Sequence, residues 1–177
     1  LLAMMLATVQ ALEMETANGL ALYGTSSFHN VWEQACKSVF SDEVDSWLPH
    51  LPKPIWRAAD GSKQEQGTFI PDLVAPISDD ELFIGDAKYY RLSFSPTLTG
   101  NPGVNDVAKQ IWYKQHLQDI AQKRGYVVLH NAFLFPSDFE DVQLLGSVEL
   151  PEGGERVDAL ALPFLKTLAV YTHDMSS

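Results

Sequence analysis

The chain of 177 residues has the length of a single domain, and its contents of 46% hydrophobic and 20% charged residues exclude a disordered or fibrous protein. Its 12 basic and 23 acidic residues give a net charge of −11, which disfavours a free-standing domain that binds nucleic acid through its own positive charge. The single cysteine, Cys36, excludes an internal disulfide and a zinc or iron–sulfur site built from cysteines of this chain. We expect a reduced, soluble, cytoplasmic domain.

The N-terminal segment is apolar but too short to cross a membrane. Its apolar run, Leu1–Leu12, is interrupted by Glu13 and Glu15, whereas a membrane-spanning helix needs about 20 apolar residues. No basic region precedes the run, as a secretory signal peptide would require. Because residue 1 is not methionine, we expect a piece of a longer protein. Within one domain we expect an N-terminal helix (1–24), a core (27–150) and a C-terminal extension (151–177).

Hydrophobic periodicity and turn residues predict the secondary structure in chain order. Helices are predicted where apolar residues recur at helical spacing, in residue ranges 1–22, 27–40, 104–124 and 157–171. Strands are predicted where apolar runs lie between turn signals, in residue ranges 55–58, 68–77, 81–90, 126–135 and 142–150. A turn region is predicted at Asp60–Gly67 and a loop at Ser93–Gly103. This order predicts an α/β fold in which a central mixed β-sheet is flanked by helices.

The residues with the clearest chemical potential lie on two neighbouring predicted strands. Asp86 and Lys88 are two residues apart, so their side chains leave the same face of a strand, about 6.6 Å apart along it. Asp72 lies on the preceding strand, and antiparallel pairing would aim the three side chains at one point. Two adjacent carboxylates repel each other unless a cation lies between them, and hard oxygen ligands suit Mg²⁺ or Mn²⁺. A lysine beside such a metal can orient or help deprotonate a water molecule, or neutralise charge on a phosphate.

The spacing of these residues resembles a known nuclease motif. Pro71-Asp72, thirteen intervening residues and then Asp86-Ala87-Lys88 resemble the motif of the PD-(D/E)xK nuclease superfamily. The predicted order of helix, three strands, helix and strand, from about Phe28 to Leu150, is similar to the restriction-endonuclease-like fold. Three short sequences are most similar to restriction endonucleases of the LlaJI type, namely Val31-Trp32-Glu33, Pro71-Asp72-Leu73 and Lys109-Gln110-Ile111-Trp112-Tyr113.

The resemblance implies a set of site residues and a metal cofactor. The implied catalytic residues are Asp72, Asp86, Lys88, Glu33 and Gln110. The implied metal ligands are Asp72, Asp86, Glu33 and Ala87. The implied cofactor is Mg²⁺, with Mn²⁺ able to substitute for it.

Ordinary structural roles remain open for the same residues. Asp86 and Lys88 can form an exposed ion pair on a half-buried sheet. Glu33 can pair with Lys37 four residues later on a helix surface. The polar residues of the later helix, Lys109, Gln110 and Lys114, can belong to a solvated helix face. Zinc is not predicted, because the five histidines have no metal-ligand spacing to one another or to Cys36.

The resemblance also implies a function and partners. It implies a metal-dependent DNA endonuclease domain that hydrolyses phosphodiester bonds of foreign double-stranded DNA in a restriction system. It further implies a DNA-recognition domain in an N-terminal part, a GTP-hydrolysing motor subunit as a partner, and a dimer when DNA is cut. Two alternatives remain open: a cleavage-inactive scaffold or DNA-binding module of the same fold, and a junction resolvase or repair nuclease. No membrane role is expected.

Overall fold

The computed structural model describes residues 27–151 and 154–175. The helices of this part of the chain are α1 (Phe28–Phe40), α2 (Val44–Trp47), α3 (Val104–Lys123) and α4 (Phe164–Asp174), with a 3₁₀ turn at Leu48–His50. The predicted helices at 27–40 and 104–124 are thereby confirmed, whereas the predicted helix at 1–22 lies outside the described residues. In the described ranges, no helix has both the length and the apolar character needed to cross a membrane.

Within the described residues, seven strands form two sheets. The strands are β1 (Ile55–Arg57), β2 (Lys63–Glu65), β3 (Leu73–Pro76), β4 (Glu81–Ala87), β5 (Val128–Ser137), β6 (Gln143–Glu149) and β7 (Arg156–Pro163). The larger sheet has the spatial order β3–β4–β5–β7–β6, and the partner of β1 in the described part of the chain is β2. In the larger sheet β4, β5 and β7 are parallel, whereas β3 and β6 are antiparallel edge strands. The sheet is therefore mixed, as predicted.

Helices cover both faces of the larger sheet, because alternate residues of its strands point to opposite sides. On one face Trp32 and Cys36 of α1 pack against Phe83 and its neighbours. On the other face Leu117 of α3 packs against Ile84. Helix α4 joins the α1 side, where the ring centroid of Phe164 lies 6.0 Å from that of Trp32. The predicted fold class, α/β with helices on a central mixed sheet, is confirmed and is compatible with a restriction-endonuclease-like fold.

The helix predicted at 157–171 is wrong in its first half. Residues 156–163 form β7, which lies between β5 and β6, and α4 begins only at Phe164. Val157, Ala159 and Ala161 are all buried, and their spacing of two is that of a strand. The segment assigned from the sequence to a C-terminal extension therefore supplies an interior strand of the sheet.

The region Asp60–Gly67, predicted as a turn, contains the second strand of a hairpin. Lys63–Glu65 pairs with Ile55–Arg57 through a tight turn in which Gly61 has a φ of 86°. The carboxylate of Asp60 accepts the N–H of Ser62 at 2.8 Å in the same turn. Asp-Gly is a strong hairpin signal, but a strand without apolar residues gives no hydrophobic period by which to recognise it.

The two strands that carry the predicted site are shorter than the sequence indicated. Strand β3 begins at Leu73 instead of Thr68, and β4 ends at Ala87 instead of Tyr90. Asp72 and Lys88 lie just outside these limits, and contacts with Ala87 and Asp86 hold them.

Candidate active site

Asp72 and Asp86 meet where β3 begins and β4 ends. The antiparallel register pairs Leu73 with Gly85, and one further residue places Asp72 opposite Asp86. Oδ2 of Asp72 accepts the N–H of Ala87 at 2.8 Å, so this carboxylate continues the pairing beyond β3. Gly85 permits the side chain of Leu73 to lie close to the backbone of β4, because a Cβ at residue 85 would be 2.7 Å from Cδ2 of Leu73.

Lys88 lies directly after β4 and is held between two carboxylates. Its N–H donates to the carbonyl of Leu134 at 2.9 Å, which extends the parallel pairing of β4 with β5 by one residue. Its Nζ lies 2.7 Å from Oδ1 of Asp86 and 3.3 Å from Oδ1 of Asp106. Because Asp86 is only 7% exposed, the pair is not the exposed surface pair considered as an alternative.

Asp106 was missed by the sequence analysis. It lies in the first turn of α3, where a negative charge is favoured by the helix dipole. That preference was the available signal, but it says nothing about which cation the carboxylate meets. Only the packing of α3 on the sheet brings Asp106 to Lys88.

Burial and like charge raise the pKa values of the two strand carboxylates. Burial first, and then the charge of Asp86, raises the pKa of Asp72 to about 6, although the N–H of Ala87 opposes this change. Burial also raises the pKa of Asp86, despite its ion pair with Lys88. Burial lowers the pKa of Lys88, but its pairing with Asp86 and Asp106 outweighs that effect and leaves the pKa raised. Further positive charge beside these carboxylates would oppose both increases in pKa.

The oxygen atoms available here suit a hard divalent cation. Oδ1 of Asp86 is buried and lies 2.7 Å from the ammonium of Lys88, so a metal ion would share this oxygen with Lys88. The C=O of Ala87 leaves the strand on the side of its N–H, which faces Asp72. No three histidine, cysteine, aspartate or glutamate side chains in the described ranges are close enough together to hold a metal ion. Water or phosphate oxygens would therefore complete the coordination, as is common for Mg²⁺.

Glu33 is not brought into a ligand set with the other two carboxylates. Its Oε1 lies 2.7 Å from Nζ of Lys37, so the helix-surface pair considered as an alternative does form. Its charge nevertheless contributes to the raised pKa of Asp72, so the two carboxylates influence each other. Joining Asp72 at a metal would require Glu33 to leave Lys37.

Gln110 is buried on α3, which excludes the solvated helix face for this residue. Its Nε2 donates to the carbonyl of Ala132 at 3.4 Å, and its Oε1 is buried and accepts no hydrogen bond from the described residues. The main-chain carbonyl of Gln110 accepts Nδ2 of Asn131 at 3.0 Å. His130 and Asn131 lie inside β5. These contacts fix α3 to β5.

The neighbouring lysines of α3 have different environments. The charge of Lys109 opposes the rise in the pKa of Asp86, and its ammonium lies 5.7 Å from the ring centroid of Phe69. Lys114 instead forms an ion pair with Glu155 at 2.7 Å. Lys109 therefore faces the predicted site, and Lys114 does not contact its carboxylates.

Two aromatic side chains position the site from opposite faces of the sheet. The hydroxyl of Tyr113 donates to the carbonyl of Ile70 at 2.8 Å and so holds the segment that leads into Asp72. Nε1 of Trp32 donates at 3.1 Å to the carbonyl of Leu134, the same oxygen that accepts the N–H of Lys88. Helices α1 and α3 therefore both fix the backbone around the carboxylates.

Comparison with known proteins identifies the family. Residues 1–162 match the family described as LlaJI restriction endonuclease. The chain is also 38% identical over 138 residues to the Type II restriction enzyme BsuMI component YdjA of Bacillus subtilis (strain 168). That match covers 73% of this chain and 29% of the relative, so the chain spans less than a third of the relative's length. The chain belongs to the LlaJI restriction endonuclease family.

Proposed function

We propose that this chain is the cleavage domain of a metal-dependent DNA endonuclease in a cytoplasmic restriction system, with a site of the PD-(D/E)xK type. The observation that carries the proposal is the meeting of Asp72, Asp86 and Lys88 at the end of β4. Buried carboxylates and a lysine where β3 begins and β4 ends, in a chain of a restriction endonuclease family, support hydrolysis of a phosphodiester.

The residues have separate roles in this proposal. Asp72, Asp86 and the carbonyl of Ala87 hold Mg²⁺, which Mn²⁺ can replace, and Glu33 joins them if it leaves Lys37. When bound, the ion would stabilise negative charge that develops on the phosphate during hydrolysis. Lys88, whose raised pKa keeps it protonated at neutral pH, orients the attacking water or neutralises the phosphate.

Gln110 acts through position in this proposal. It links α3 to β5, and α3 carries Asp106, which holds the ammonium of Lys88 from the other side. Its place behind the carboxylates matches the role of a supporting residue better than that of a group that touches DNA.

Lys88→Ala tests the proposal directly. We expect the full-length protein to lose about 10²–10³ in the rate of plasmid cleavage, because one contact to the transition state is removed. The matched control is Lys166→Ala on α4, since Lys166 also lies near two carboxylates, at 3.6 Å from Glu140 and from Asp141. If Lys88→Ala cleaved DNA as fast as the wild type, the proposed catalytic role of Lys88 would be wrong.

Partners and alternative functions follow from the same assay. Double-stranded DNA is the proposed substrate, with recognition by a further N-terminal domain, a GTP-hydrolysing motor subunit and a dimer at the moment of cutting. Adding GTP and candidate motor subunits to the cleavage assay tests whether a motor subunit is required. DNA binding without cleavage under all conditions would instead favour an inactive DNA-binding module, and preferential cutting of branched DNA would favour a junction resolvase.

A further inference from the structure

The β1–β2 hairpin stands apart from the larger sheet. It forms its own two-stranded sheet, and all residues of both strands are exposed. Its base is anchored, since the N–H of Gln66 donates to the carbonyl of Pro54 at 3.2 Å and Oγ1 of Thr68 donates to that of Pro52 at 2.7 Å. A two-stranded ribbon without a buried face gains little stability from its own packing. Packing within the hairpin therefore does not account for its exposed side chains.

Two cations lie directly opposite each other on this hairpin. The register pairs Arg57 with Lys63, and the hydrogen-bonded positions are the neighbouring ones, such as Ala58 with Ser62. Arg57 and Lys63 are therefore a non-hydrogen-bonded pair, whose side chains come especially close. Like charges in that position destabilise a hairpin. Among the described residues, neither cation has a carboxylate within ion-pair distance.

A large aromatic side chain belongs to the cross-strand pair next to these cations and points to the opposite face of the hairpin. Trp56 is 67% exposed and contacts no other aromatic ring in the described ranges, and its cross-strand partner is Gln64. Exposed cations together with an exposed ring are the combination that proteins use against phosphates and bases. A two-stranded ribbon also has the dimensions to enter the major groove of DNA.

The hairpin lies near the candidate active site along the chain. Only seven residue steps separate Glu65 from Asp72, which limits the distance between them to about 25 Å. Within that connection the ring centroid of Phe69 lies 5.7 Å from the ammonium of Lys109, the cation that faces the candidate site. A duplex whose phosphate lies at Asp86 would extend within reach of the hairpin.

We propose that the β1–β2 hairpin is a DNA-binding arm, in which Arg57 and Lys63 contact backbone phosphates and Trp56 packs against the duplex. The identity of the ligand rests on the proposed function. A polyanion removes the repulsion between the two cations, which explains why an acidic chain keeps them opposite each other. The arm supplies local positive charge beside a site that is itself negative.

The test is the salt dependence of DNA binding by the full-length protein. Binding of a fluorescent duplex is measured by anisotropy over a series of NaCl concentrations, without divalent cations. Each phosphate contact contributes about −0.9 to the slope of log K against log salt, so Arg57→Gln with Lys63→Gln should make the slope shallower by roughly 1.8. Trp56→Ala should weaken binding and leave the slope unchanged, because its contact is not ionic.

The control is Arg156→Gln with Lys166→Gln, which makes the same change in net charge on β7 and α4. An unchanged slope for the hairpin variant, or an equal change for the control, would contradict the proposal that the hairpin binds DNA. Thermal unfolding of the hairpin variant should match or exceed that of wild type, since a repulsive pair is removed.

Cleavage by the same proteins separates this inference from the proposed function. Wild-type cleavage together with an unchanged slope rejects only the arm. A shallower slope in the hairpin variant, with no cleavage by wild type under any condition, rejects only the nuclease. Failure of the wild type to bind the duplex rejects both.

Discussion

At the scale of residues, the carboxylates at the end of β4 and the start of α3 outnumber the ammonium that pairs with them. Lys88 pairs with Asp86 and Asp106, Asp72 lies opposite Asp86, and burial strengthens the repulsion between Asp72 and Asp86. Such an arrangement reduces the stability of the metal-free fold. Functional sites commonly keep interactions of this kind because binding of a ligand relieves them.

Asp72→Asn should stabilise the metal-free protein above about pH 6. In the folded protein the pKa of Asp72 is about 6, against an ordinary value of 3.8. Between these values the folded state binds more protons than the unfolded chain, so stability falls as pH rises. The full difference corresponds to about 3 kcal/mol. Asparagine removes this fall while its side-chain oxygen can still accept the N–H of Ala87.

The measurement is urea unfolding in EDTA across that pH range. Glu81→Gln serves as the control, because Glu81 lies at the other end of β4 in a half-exposed pair with His130. The wild type and this control should lose stability with rising pH, and Asp72→Asn should lose much less. The same pH dependence of stability in all three proteins would contradict a raised pKa of Asp72 in the folded state.

Trp32→Phe should destabilise the fold by more than about 1 kcal/mol, because it removes one buried hydrogen bond and leaves a cavity where the larger indole ring packed. The ring still fills much of the core, but the carbonyl of Leu134 loses the donor from α1 and keeps only the N–H of Lys88. Chemical denaturation measures this loss. Trp56→Phe on the exposed hairpin is the control, and equal effects of the two substitutions would show that the bond to Leu134 contributes nothing.

At the scale of elements, β7 holds the sheet together. It is the partner of both β5 and β6, and β6 pairs with no other strand in the described ranges. Val157, Ala161 and Leu162 of β7 are almost fully buried. The strand therefore belongs to the folding unit, although it lies beyond the segment that the sequence assigned to the core.

Truncation of the chain after Leu150 should abolish cooperative folding. The deletion removes β7 and α4, leaves β6 unpaired and exposes the faces of β5 and α1 that they cover. Loss of the thermal transition and rapid proteolysis are expected. A shortened chain that retained a cooperative transition would show that 151–177 is indeed a dispensable extension.

At the scale of the whole molecule, the sequence predicted those contacts of the candidate site that depend on spacing within a strand or on the pairing of neighbouring strands. Asp86 and Lys88 share a face because they are two residues apart, and the antiparallel pairing of β3 with β4 brings in Asp72. The contact of Asp106 with Lys88 depends on how α3 packs, which no local pattern encodes. The region of β7 is apolar at successive positions, so a strand and a buried helix were not distinguishable by periodicity.

The hairpin and Glu33 show two further limits. Strand β2 is entirely polar and exposed, so its pairing with β1 has no hydrophobic signature. Glu33 is close enough to affect Asp72 but is paired with Lys37, a choice between neighbours that spacing on a helix cannot decide. Arg57 and Lys63 lie opposite each other on the hairpin, so the proposed arm carries local positive charge although the net charge of the chain is −11.

Calorimetric titration with Mn²⁺ in the presence of duplex DNA tests the central claim most directly. If Asp72 and Asp86 form a metal site, the wild-type protein and Glu81→Gln should bind Mn²⁺, and Asp86→Asn should not, because one of two carboxylate ligands loses its charge. Thermal stability should rise with Mn²⁺ only in the first two proteins. Absence of binding by the wild type, or equal binding by Asp86→Asn, would contradict the assignment of a metal-dependent site at the end of β4.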